Sequence, residues 1–218
     1  MSGNSWRSSE YVAFWNKITT EAWMIERFVE DWGLWDLGIK PSYFPKIMSQ
    51  KALRHLAKET SKATSYLIPW IFVMTYKIME VIHETTRERL PVTFRKHPVL
   101  LQVCENLRER FRKARNKIVH VGKYGVYAFP YRERKKTFYD DCLMVRDEKS
   151  RRVIRISIYD VLCVGFFISY LTRAIRDKRI RGSYLEAAYD HIEPLESWIP
   201  DELFLEAQKV FGKSDSSR

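Results

Sequence analysis

The chain has 218 residues, 45% hydrophobic and 30% charged, with a formal net charge of +11; that balance excludes a disordered chain and is long enough to bury one core. With only 8 Gly and 8 Pro and with 14% aromatic residues, the composition favours long regular elements with large apolar anchors, and the expectation is mostly helix. The excess of Lys and Arg suits a polyanionic partner, RNA, DNA or an anionic membrane, held with a strength that falls as salt rises.

In chain order, MSGNSWRSSE lacks the basic-then-apolar pattern of a signal peptide, so no secretion is implied. A first helix is expected after Ser8 and Ser9, with Val12, Trp15, Ile18, Ala22, Ile25, Phe28 and Val29 at helical spacing, ending between Gly33 and Gly38. The stretch GIKPSYFPK, with Pro41 and Pro45 close together, reads as a loop. Ser49 then opens a second helix through Leu53, Leu56 and Ala57, and Pro69 either kinks it or starts a new one. Its continuation stops at Leu90 and Pro91, because a residue before proline avoids the helical region.

The next helix is expected from His97 and Pro98 to about Val121, with Gly122 as its C-terminal cap. Leu100, Cys104, Leu107, Phe111, Ala114 and Ile118 recur at three and four and make its apolar stripe. From Gly122 to Ser157 the period changes, and TFYDDCLMVRDEKSRRVIRISI reads as two strands joined by a charged turn at Asp147 to Ser150. Asp160 is expected to cap an apolar helix running to about Arg179, followed by helices over Tyr184 to Ile192 and Asp201 to Phe211. The fold class expected is therefore mostly α: an antiparallel helical bundle with a small β-hairpin inserted before the last long helix. Residues 1–213 form a single domain with the hairpin at about 122–158, and 214–218 are a disordered tail.

Two apolar runs, 66–76 and 161–171, are each about half of the ~20 residues needed to span a bilayer, so both are expected to be buried helix rather than membrane segments. Cys104, Cys142 and Cys163 are odd in number and widely spaced, which fits a reducing compartment and no zinc knuckle. The expected location is the cytoplasm.

The segment ARNKIVHVGK at 114–123 carries the most chemistry. At about 100° per residue, with Ala114 on the apolar stripe, Arg108, Arg112, Arg115, Asn116 and His120 all fall on the polar side of the helix. Arg115 and His120 flank Asn116 about a turn and a half apart, close enough for long side chains to meet one phosphate. One reading is a solvated basic face near a helix C-terminus, which the helix dipole favours; the other is a site.

Arg115, Asn116 and His120, with Ile118 and Val119 before the histidine and Gly122 after it, resemble the R-x-x-x-x-H motif of the HEPN superfamily, small helical bundles whose ribonucleases often carry Asn, Asp or His directly after the Arg. The resemblance rests on about eight residues. It implies a metal-independent endoribonuclease, with no cofactor and no metal, that cuts RNA through the 2′-hydroxyl to a 2′,3′-cyclic phosphate and a 5′-hydroxyl. His120 would move protons near neutral pH, Arg115 would hold phosphate and transition-state charge, and Asn116 would position. It further implies a homodimer in which two motifs share one cleft, RNA as partner, and an antitoxin or regulatory protein as a further partner in toxin-antitoxin or phage-defence systems.

Around the motif, Arg108, Arg112, Lys113, Lys117, Lys123 and Tyr124 are the candidate RNA-binding residues, by charge and by base stacking. Tyr124, Tyr127 and Tyr131 serve equally as loop packing. Some HEPN toxins carry a tyrosine two residues after the histidine that a partner nucleotidyltransferase modifies; here that position is Gly122. Asp140 and Asp141 are adjacent in a strand and point to opposite faces, which disfavours a shared metal. Two other functions stay open: a non-catalytic nucleic-acid-binding or protein-assembly module built on a HEPN-like bundle, and a peripheral membrane protein.

Overall fold

The structure is a computed structural model that describes residues 8–31, 50–121, 124–133, 136–146, 153–177 and 181–211. In chain order these form α1 (Ser8–Asp31), α2 (Gln50–Glu88), α3 (Val92–Lys96), α4 (Pro98–Val121), β1 (Tyr124–Glu133), β2 (Lys136–Arg146), β3 (Val153–Ser157), α5 (Ile158–Arg176), α6 (Arg181–Ile192), a 3-10 turn (Glu193–Trp198) and α7 (Asp201–Phe211). The expected loop at 38–46, the charged turn at 147–150, the Gly122 cap and the tail at 214–218 lie outside the described residues.

α5 is the centre of the bundle. Val161 to Ser169 are all buried without interruption, so the middle of the helix needs walls all round rather than on one face. α1, α2 and α6 supply them. Among the described residues α5 is the one helix long and apolar enough to cross a membrane, but 78% of its apolar window is buried inside the protein.

Where α5 meets α1 and α2 stands Gly165. A Cβ built there would lie 3.2 Å from Ile25 Cγ2 and 3.5 Å from Thr75 Oγ1. The absent side chain lets three helices share one crossing, at the cost of a weak helix former in mid-helix. Polar groups stitch the same interface: Thr19 Oγ1 donates to Trp15 O at 2.7 Å and lies 3.3 Å from Thr172 O. Glu26, 7% exposed, accepts from Ser169 Oγ at 2.9 Å and pairs with Arg173. Removing one partner from such a pair strands a buried charge, at a cost of about 3–5 kcal/mol.

Several boundaries differ from those the sequence suggests, each for a physical reason. Pro69 lies inside α2, and neither ends it nor starts a new helix; the buried residues Ile68, Ile71 and Phe72 around it anchor the helix and offset the missing N–H. Asp160 is not the cap of α5. The helix begins at Ile158 straight out of β3, with Ser157 at the N-cap and Asp160 in the first turn, where a carboxylate still meets the positive end of the dipole. α5 ends at Arg176, with Asp177 extended, short of Arg179. The five-residue α3 is additional, tucked in by buried Thr93 and Phe94.

The strands form an antiparallel sheet in the order β1-β2-β3. β1 is a strand the hydropathy pattern did not suggest; it pairs with β2 from Tyr124↔Val145 to Glu133↔Lys136. Leu143 and Ile156 are register partners on β2 and β3, and both are buried, which fixes the sheet's inner face against the helices.

Gly165 generates a stability prediction. Replacing it with Leu should cost about 1–3 kcal/mol by forcing α1 and α2 off α5. Gly165→Ala should stay near neutral, because a helix-propensity gain of about 1 kcal/mol offsets the tight Ile25 contact. Urea unfolding of the two variants beside the wild type measures both; a Leu variant as stable as wild type would contradict the crossing.

Candidate nucleic-acid interface

α4 runs unbroken from Pro98 to Val121, so Arg115, Asn116 and His120 are carried on one helix. Positions 116 and 120 are one turn apart on the same face. The helix docks on α2 through the stacked rings of Phe72 and Phe111, 4.4 Å between centroids, with Leu107 and Ala114 buried along the same stripe. The side chains of His120, Lys113, Lys117 and Tyr124, and residue Lys123 entirely, lie outside the described residues. So do the side chains of Tyr127, Tyr131, Asp140 and Asp141. The backbone places Tyr124 at the start of β1, three residues beyond the end of α4.

A polar seam runs beside the apolar contact, contributed by both helices. On α2, Tyr76, Glu80 and His83 recur at four and three, one face of the helix. His83 Nδ1 lies 2.7 Å from Glu105 Oε1. Glu80 pairs with Arg108, and Arg108 Nη2 also donates to Glu109 Oε1 at 2.8 Å. Arg112 Nε donates to the other oxygen of Glu109 at 2.9 Å. The partners run in reverse order along the two helices, as an antiparallel pair requires. Burial pushes the Glu80 carboxyl up, but the hydrogen bonds it accepts from Arg108 and from the Tyr76 hydroxyl outweigh that, and it titrates below the usual carboxylate value.

Arg115 is different. Its Nη1 donates to Asn116 Oδ1 at 3.0 Å, and its guanidinium carbon stands 5.4 Å from the centroid of the Tyr76 ring. A ring face and a neutral amide hold it, and no carboxylate among the described residues pairs with it. Cation–π contact of this kind is worth about 0.5–2 kcal/mol depending on desolvation, and it orients the group without cancelling its charge. The arginine side chain is part-buried, while Asn116 beside it is exposed.

The sequence-predicted residues therefore divide. Arg108, only 11% exposed, and Arg112 spend their charge on Glu80 and Glu109; Arg115 and Asn116 are brought together, and no carboxylate among the described residues takes the Arg115 charge. Tyr76, Glu80, His83, Glu105 and Glu109 were missed by sequence reasoning. The polar Y-x-x-x-E-x-x-H spacing in an otherwise apolar stretch of α2 was the available signal.

Other chemistry is limited by burial. The thiols of Cys104 and Cys163 are pushed up to about 12 by desolvation, so both stay protonated and non-nucleophilic at neutral pH. Among the described residues no group of three His, Cys, Asp or Glu side chains could hold a metal ion. Comparison with family models, with curated proteins and with solved structures gives no match.

The Glu80 pairing has a pH signature. Because its folded-state pKa is lowered, the stabilisation is present above the unfolded carboxylate value and is lost as pH falls through the folded one. Stability should therefore drop as pH is lowered below about 4.5, and Glu80→Gln should flatten that part of the profile. Thermal melts at a series of pH values compare the two slopes; identical slopes would count against the pairing.

Proposed function

We propose that the chain is a HEPN-like, metal-independent endoribonuclease whose catalytic group is Arg115, Asn116 and His120. The observation that carries this reading is the state of Arg115: a cation fixed on an aromatic ring and an amide, with no carboxylate partner among the described residues, on the same helix as His120 and five residues from it. An uncompensated, oriented guanidinium is what a phosphate and the charge developing on it require. A mostly helical bundle with the motif on a long helix is consistent with the resemblance in the sequence.

In this reading the RNA phosphate lies against the Arg115 guanidinium, which stabilises the phosphorane as negative charge builds. Asn116, exposed and already bonded to Arg115, orients the two groups. His120 accepts the 2′-hydroxyl proton or donates one to the leaving 5′-oxygen. A second copy of the chain would supply the other proton-transfer histidine, so a homodimer is part of the proposal, with RNA as substrate in the cytoplasm and regulation by an antitoxin or other protein.

Cleavage of end-labelled RNA in EDTA tests this directly. The wild type should leave 2′,3′-cyclic phosphate and 5′-hydroxyl ends. His120→Ala should lose about 10²–10⁴-fold in rate, and Arg115→Ala about 10²–10³-fold with retained folding. Sedimentation at assay concentration should give a dimer. A folded wild type that binds RNA and never cuts it replaces the enzyme by a nucleic-acid-binding module.

A further inference from the structure

The seam contains a hazard for the proposed site. Glu80 stands one turn from Tyr76 on α2, and Tyr76 is the residue against which Arg115 lies. A carboxylate free to swing at that point would pair with the Arg115 guanidinium and cancel the charge a phosphate needs. It does not pair there. Arg108 and the Tyr76 hydroxyl both hold it, and Arg108 is in turn anchored by Glu109.

We propose that Tyr76, Glu80 and Arg108 form a positioning unit for Arg115: the Tyr76 ring supports the guanidinium, while Arg108 and the Tyr76 hydroxyl keep Glu80 occupied. The inference rests on the reading of Arg115 as a phosphate-binding group, and it assigns Arg108 a role opposite to the obvious one. Arg108 strengthens RNA binding without touching RNA. Tyr76 is 4% exposed, so it too acts on the substrate only through Arg115.

The geometry supports each part separately. The Arg115 guanidinium carbon lies 5.4 Å from the Tyr76 ring centroid, within the reach at which a ring face holds a cation. The tyrosine phenol is raised above its usual value first by burial and then by the hydrogen bond it gives Glu80, the behaviour of a hydroxyl that stays a donor at neutral pH. The Glu80–Arg108 pair is part-buried on both sides, with side-chain exposures of 32% and 11%, so it is screened less than a surface pair.

The test is equilibrium binding of a 5′-fluorescein single-stranded 2′-O-methyl RNA, which lacks the hydroxyl that cleavage needs, by anisotropy across a potassium chloride series, for the full chain and its variants. Arg108→Gln should weaken binding about tenfold, by releasing Glu80 onto Arg115. Adding Glu80→Gln to it should restore affinity to within about threefold of wild type, and Glu80→Gln alone should bind at least as tightly as wild type. Tyr76→Leu should weaken binding while Tyr76→Phe, which keeps the ring, retains most of it. Circular dichroism and thermal melts identify any variant that fails to fold, and the Glu80→Gln, Arg108→Gln pair avoids leaving a buried charge alone.

A double variant as weak as Arg108→Gln would mean that Arg108 contacts phosphate itself, and would overturn the inference while leaving the proposed site intact. Equal binding by Tyr76→Leu and wild type would do the same for the ring's role. Wild-type protein that binds no RNA at low salt would overturn the proposed function and the positioning unit with it.

Discussion

Everything in this bundle is arranged around the need to cover one helix on all sides. The middle of α5, Val161 to Ser169, has no face to give to water, and a helix of that kind is stable only when several others close around it. Gly165 sets how closely they come, since the contacts to Ile25 and Thr75 leave no room for a larger side chain. Close packing carries the constraint outward: α1 is fixed by Glu26 and Thr19 and α2 by its crossing at Thr75, and α4 then takes its place on α2 through Phe72 and Phe111.

The placement of α4 decides the chemistry. An apolar stripe on each helix seals the contact, and the residues flanking it form a seam in which long charged side chains meet at the edge of water. Three glutamates answer most of the positive groups there. Arg115 is left with an aromatic ring and an amide, and no carboxylate among the described residues pairs with it, so the surroundings of this one cation, in a chain carrying +11 overall, are set by packing rather than by abundance. Counting cations along the sequence cannot reveal this, because Arg108, Arg112 and Arg115 look alike until their partners are known.

The parts of the fold written in local pattern were legible: the helical periods of α1, α4, α6 and α7 are carried by residues three and four apart. Features set by distant partners were not. Pro69 carries no sign of whether its helix continues, because the answer depends on the packing of Ile68, Ile71 and Phe72. β1 was hidden by Pro130 and by the charged residues after it; the strand lies at an edge of the sheet beside β2, the kind of strand that tolerates a proline. At the site, the spacing of Arg115, Asn116 and His120 on one helix could be read directly. Tyr76 and Glu80 come from a helix some thirty residues earlier, and nothing in the sequence announces that they meet Arg108 and Arg115.

The order of the elements has a consequence for how such a chain is made. Among the described residues α5 is the segment that most resembles a membrane span, and on a ribosome such a helix is exposed to capture by the wrong hydrophobic surface. Two of its walls, α1 and α2, precede it in the chain and are synthesised before it emerges, and α6 follows after only four residues. Vectorial synthesis therefore delivers the most apolar helix into a partly built receptacle, shortening the interval in which its surface lies open.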